Sequence, residues 1–64
     1  MEDLFRVELR GDTLCAVLQG DEAELFLFGQ HREWIADQVW PALIGHAGPK
    51  SIVACGLEWP FLQS

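Results

Sequence analysis

Asp21, Glu22 and Glu24 stand within four residues of one another in QGDEAELFLFGQ, directly before Leu25-Phe26-Leu27-Phe28. Glu33 and Asp37 follow in EWIAD, four residues apart. Carboxylates so grouped suit three kinds of chemistry: acid–base catalysis, metal ligation, or attraction of a cationic partner. Catalysis needs two carboxylates in unlike environments, or a nucleophile beside a base. These carboxylates fall in a turn and on a helix face, both expected to face water, and the chain has no nucleophile–base pairing. It is therefore not expected to be an enzyme. Structural metal sites use close, paired ligand spacings. His31, His46, Cys15 and Cys55 have none, so neither a metal nor another cofactor is expected.

Two other stretches resemble known motifs. GHAGPKS (Gly45 to Ser51) ends like a shortened phosphate-binding loop. Such a loop follows a strand and opens a helix. Here the order is helix then strand, and Pro49 lacks an N–H, so the stretch reads as a connecting turn. Arg10-Gly11-Asp12 reads as the tip of a hairpin.

The third chemistry is left. Glu33 and Asp37 on one helix face lie about 6 Å apart along its axis. Like charges at that spacing cost a helix about 0.2–0.5 kcal/mol. Glu22 and Glu24, if strand-like, project together about 7 Å apart. Such groups ordinarily form a solubilising face. Regularly spaced carboxylates on a rigid scaffold also resemble a line of phosphates. A protein surface that binds nucleic acid through Lys and Arg would attract them.

Charge supports that reading. The 64 residues hold 10 acids against 4 bases, a net of −6. Residues 1–37 carry nine acids and three bases, so the net charge lies there. A chain this acidic repels phosphate, which argues against direct binding to nucleic acid or to an anionic membrane. No apolar run is long enough to span a bilayer. The start MEDLFRVEL is acidic where a secretory leader is basic, so a cytoplasmic protein is expected. Cys15 and Cys55 are then expected to be reduced, small and buried.

Half of the residues are hydrophobic, enough for one compact core, and residues 1–64 read as a single domain. LFRVELR alternates strictly, with Phe5, Val7 and Leu9 on one face and Arg6, Glu8 and Arg10 on the other, as a half-buried strand does. A tight turn at Gly11-Asp12 pairs Arg10 with Thr13, Leu9 with Leu14, Val7 with Ala16 and Phe5 with Leu18. That register places every apolar partner on one face. Those six residues, Phe5, Val7, Leu9, Leu14, Ala16 and Leu18, are expected to face the helix, so Val7→Asp should unfold the domain.

Leu25-Phe28 with Gly29 after it reads as a third strand. It would leave Phe26 and Phe28 on an uncovered sheet face with Val17 and Leu4. A rival reading makes Asp21 a helix cap, with Glu24 three residues on. Within QHREWIADQVWPALIGH, Ile35, Ala36, Val39 and Leu43 form a helical stripe, with Gln30, Glu33 and Asp37 opposite. Pro41 kinks this helix or begins a new turn. Trp34 and Trp40 flank its polar face, as core residues or as interface anchors. SIVAC is a short apolar strand, parallel to its neighbour if the helix is a crossover. We place it beside the first strand. GLEWPFLQS is an irregular tail or a further edge segment, and EWPFL could fold over the open face. The expected fold is α+β and two-layered: a mainly antiparallel sheet of three to four strands on one helix, in the order β-β-β-α-β.

A small, acidic, motif-free α+β chain carrying GDEAE and EWIAD resembles the small phage-encoded anti-CRISPR proteins of the DNA-mimic type. The resemblance covers the whole chain in size and charge. It implies a stoichiometric inhibitor, monomeric rather than dimeric, acting in the host bacterial cytoplasm. Its partner would be a protein with a basic surface, a CRISPR effector subunit, most naturally of a type I complex. The residues expected to meet that partner are Asp21, Glu22, Glu24, Glu33, Asp37 and Trp34. The competing reading is a small subunit or antitoxin-like module that dimerises through an apolar sheet face.

Overall fold

The computed structural model describes residues 4–61. Strand β1 (Phe5–Arg10) turns into β2 (Thr13–Leu18). Two helices follow, α1 (Asp21–Leu27) and α2 (Arg32–Leu43). Strands β3 (Lys50–Ala54) and β4 (Leu57–Pro60) complete a four-stranded sheet of order β1-β2-β3-β4. The fold is α+β and two-layered, and both helices pack on one face of the sheet. β2 and β3 are parallel, and the outer pairs are antiparallel.

The first hairpin has the register that the alternation demands, from Phe5↔Leu18 to Arg10↔Thr13. Gly11 has φ 61°, so the first central residue of the turn is in the conformation that glycine adopts without penalty. Residues 51–54 of SIVAC lie in a strand parallel to its neighbour, with Cys55 in the turn that follows, but that neighbour is β2 and not β1. The helical crossover returns the chain beside the strand it left, and so the two most apolar strands lie side by side at the centre. The tail forms the edge strand β4, whose register sets Trp59 opposite Ile52.

LFLF is not a strand. It lies in α1 and its C-cap, and the rival helical reading of GDEAELFL describes it. The run has no β-branched residue, and Ala, Glu and Leu are good helix formers. Asp21, Glu22 and Glu24 fall in the first turn, where negative charge favours a helix N-terminus. Gly29, which looked like a strand boundary, ends the helix instead. Its φ is 80°, its N–H donates to the Phe26 carbonyl (3.0 Å), and the Gln30 N–H donates to the Leu25 carbonyl (2.8 Å). Those two bonds make a Schellman motif.

The core joins Ala23 and Phe26 of α1, and Ile35, Val39 and Leu43 of α2, to Ala16, Leu18, Ile52 and Ala54 of the sheet. The α2 stripe is as expected, with Ala36 at its half-buried margin, although Gln30 precedes the helix. The helix runs on through Pro41 to Leu43. Its end is tied to the hairpin tip: His46 Nε2 donates to the Asp12 carbonyl at 2.8 Å. A Cβ on Gly48 would lie 2.9 Å from that same carbonyl, so the connection GHAGPK needs a glycine there.

One expectation about burial fails. The helices lie over β2 and β3, and β1 extends beyond them. Phe5 and Leu14 are half-buried and Ala16 and Leu18 buried, but Val7 and Leu9 remain 45% and 60% exposed. Val7→Asp therefore places a charge at a wet edge and is not expected to unfold the domain. On the opposite face Cys15, Ser51 and Val53 are buried without a helix over them.

Candidate interaction surface

The five carboxylates picked from the sequence all lie on the helical layer. Asp21, Glu24, Glu33 and Asp37 are exposed, and Glu22 is half-buried. Among the described residues the ion pairs are those of Glu8 with Arg6 and Arg10, far along the chain on β1, so none of the five is in a salt bridge. Between residues 21 and 37 the sole formal base is Arg32, which gives the segment a net charge of −4.

Glu33 and Asp37 sit one helical turn apart on the solvent side of α2, opposite Ile35 and Val39, as their spacing predicts. Glu22 and Glu24 do not project together. Positions two apart on a helix diverge by about 200°, so they look to different sides of α1. Glu24 shares a side with Asp21, while Glu22 turns toward α2. There Glu22, Gly29, His31, Arg32, Glu33 and Trp34 line an open groove of about 800 Å³. The fold thus gathers Glu22, Glu33 and Trp34, leaves Asp37 a turn further along α2, and sends Asp21 and Glu24 to the outer side of α1. Trp34 is 52% exposed, which suits an anchor better than a core residue.

Arg32, Gly29 and His31 in this groove went unrecognised in the sequence. Arg32 is the junction of the layer. Its Nε donates to the Phe26 carbonyl at 2.9 Å, at the C-terminal end of α1. Its guanidinium lies 4.7 Å from the Phe26 ring centre and 5.4 Å from that of Trp59. Those two rings meet edge to face at 5.1 Å. The one base of the acidic segment is thereby held against aromatic faces, an arrangement worth roughly 0.5–1 kcal/mol at exposed sites. A second aromatic pair, Trp40 stacked on Phe61 at 5.4 Å, secures the other end of β4. No sequence spacing links Arg32 to Trp59. His31 enters α2 with φ 57°, a position open to few side chains.

The apolar face of the competing reading is absent. Phe26 is buried in the core, and Phe28 is 73% exposed beside the helix end, so they form no common sheet surface. Of the tail, residues 62–64 lie outside the described residues, so only its part up to Phe61 bears on the expectation that EWPFL folds over the open face. Trp59 and Phe61 pack against the core on the helical side. Cys15 is buried and Cys55 exposed, which departs from the expectation that both are buried, and neither is in a disulfide. Burial pushes the Cys15 thiol up, and the Glu58 carboxylate, 3.9 Å away, pushes it further. No three His, Cys, Asp or Glu side chains among the described residues are grouped as metal ligands would be. No helix among them is long and apolar enough to cross a membrane. Compared with known proteins, the chain matches no family model, no curated protein and no solved structure.

Proposed function

We propose that this protein is a stoichiometric inhibitor that binds the basic, nucleic-acid-binding surface of another protein through the acidic side of α1 and α2. The observation that carries this reading is the arrangement of Asp21, Glu22, Glu24, Glu33 and Asp37. All five stand on one helical layer, with no salt bridge among the described residues to neutralise them. A lysine- or arginine-rich groove meets several carboxylates there and an aromatic anchor, Trp34, within the groove beside Glu22 and Glu33. Charge of this kind steers encounter and excludes anionic competitors. The resemblance to DNA-mimic anti-CRISPR proteins names the class of target, a type I CRISPR effector complex whose DNA-binding surface would be occupied.

The test is binding to a purified type I surveillance complex, with labelled target DNA as competitor. Wild type should bind, and excess DNA should displace it. Changing Glu22, Glu24 and Glu33 to Gln and Asp37 to Asn should leave the fold intact, since surface changes usually shift stability by under about 0.5 kcal/mol each. The variant should associate more slowly and show a flatter dependence on salt. A four-site variant that binds as well as wild type at physiological salt would refute charge mimicry. Wild type that binds the complex without competing with DNA would refute occupation of the DNA site.

A further inference from the structure

We propose that β1 is a homodimer edge, at which two copies of the chain pair antiparallel about a twofold axis at Val7 and join their sheets into one. This inference is independent of the acidic face, which lies on the helical layer over β2 and β3, and it replaces the expectation of a monomer.

The argument begins with the backbone. Among the described residues β1 is an outer strand of the sheet, paired on one side alone. In the hairpin the Gln19 N–H donates to the Leu4 carbonyl (3.1 Å), so even-numbered residues turn their backbone groups inward to β2. Phe5, Val7 and Leu9 therefore aim their N–H and C=O groups outward. The other outer strand, β4, is four residues long and ends on Pro60, which has no N–H to offer. β1 has six residues, with no proline and no bulge. Outer strands are ordinarily blunted by shortness, proline, a bulge or charge, and of these β1 has only charge, on Arg6, Glu8 and Arg10, whose signs alternate along one face.

The side chains and the length of the strand then select one register: an axis at Leu9 also sets Glu8 against Arg10, but it pairs Val7 with Gly11 in the turn and leaves Phe5 without a partner in β1. Antiparallel pairing of outward-facing groups requires odd positions opposite odd positions. Centring the axis on Arg6 sets Arg6 against Arg6. Centring it on Glu8 sets Glu8 against Glu8 and Arg6 against Arg10. Like charges directly opposite are unfavourable. Centring it on Val7 sets Val7 against Val7 once, on the axis, and Phe5 against Leu9 twice on the same face, with Arg6 against Glu8 twice on the other. The apolar pairs are the hydrogen-bonded ones. The Arg6–Glu8 pairs are the non-hydrogen-bonded ones, in which side chains approach most closely. On the apolar face the helical layer stops short of β1, and Val7 and Leu9 are the residues it leaves at 45% and 60% exposure. A second copy, with its helices on the same side, sets its own Phe5, Val7 and Leu9 beside them across the seam.

The register makes a test that misfolding cannot mimic. Arg6→Glu sets glutamate opposite Glu8, and Glu8→Arg sets arginine opposite Arg6. Each variant repels its own copy, while an equal mixture of the two restores opposite charges at every contact. In sedimentation velocity over a concentration series, wild type should show a monomer–dimer equilibrium. Each single variant should weaken it by roughly ten-fold or more, and the mixture should recover it. The amides of Phe5, Val7 and Leu9 should gain exchange protection in wild type as concentration rises. A wild type monomeric up to about 1 mM, the weak end of measurable association, overturns the proposal. So does a dimer unaffected by either change, a mixture that does not recover, or a concentration series that leaves those three amides unprotected.

Discussion

One rung of the sheet runs Val7, Ala16, Ile52, Trp59, across all four strands and on the helical face. Its centre and its ends differ sharply. Ala16 is fully buried and Ile52 is 4% exposed, whereas Val7, beside Ala16, is 45% exposed. The cause is the width of the second layer. Two helices, of seven and twelve residues, cover two strands and not four. Alternation along a strand therefore tells which way a side chain points. Whether anything meets it depends on the neighbouring layer. At the β4 end the chain solves the shortfall with large aromatic rings, Trp59 on Phe26 and Phe61 on Trp40. At the β1 end it leaves the shortfall open.

The largest expected contrast lies within that rung. Ala16→Asp buries an unpaired charge in the core and should abolish cooperative unfolding. Val7→Asp, on the adjacent strand, should still melt cooperatively and lose about 1 kcal/mol or less. A Val7→Asp variant that fails to fold would mean that β1 is covered as the centre is. Thiol labelling draws the same line on unmodified protein. Cys55, exposed in the β3–β4 turn, should react with a maleimide at once. Cys15, buried and held as the thiol, should react only through unfolding, slower by on the order of a thousand-fold. Comparable rates would show that the helix-free face opens to solvent.

A like-for-like truncation is next. Leu43→Ala, from a fully buried site, should cost about 2–5 kcal/mol. Leu9→Ala, from a site 60% exposed, should cost well under about 1 kcal/mol in the monomer, as read by urea unfolding at low concentration. The smallest effect belongs to the charged side of β1. The hydrogen bond from Arg10, with its charge, holds the Glu8 carboxyl below the usual glutamate range. A lowered folded pKa contributes stability above the unfolded value and loses it as pH falls through the folded one. Wild type should thus show a slight loss of stability on acidification below the ordinary glutamate range. Glu8→Gln should remove that part of the slope, and a slope unchanged in the variant would assign it to other carboxylates.

Much of this was legible in the residues themselves. The first hairpin and its register follow from alternation and one glycine, because pairing and turn geometry are local. The α2 stripe and the β3 strand follow from period and length. The solvent-facing positions of Glu33 and Asp37 follow from being opposite that stripe. LFLF was ambiguous because a short apolar run suits a buried strand or a helix equally. Its helical signals, acids in the first turn and a C-terminal glycine, were present but outweighed by the aromatic content. That misreading also misplaced Glu22 and Glu24, since the two periods send residues two apart in different directions.

What the sequence alone determined, then, is each local conformation strongly encoded by period, turn residue or cap, together with the charge and where along the chain it lies. Tertiary structure decided the rest, which depends on distant segments meeting. It set β3 beside β2, so that the two most apolar strands share the centre. It brought Arg32 between Phe26 and Trp59, and Glu22 to the same groove as Glu33 and Trp34. It also left Val7 and Leu9 bare. Burial belongs to a pair of surfaces, and no strand contains in its own residues the extent of the layer that will lie over it.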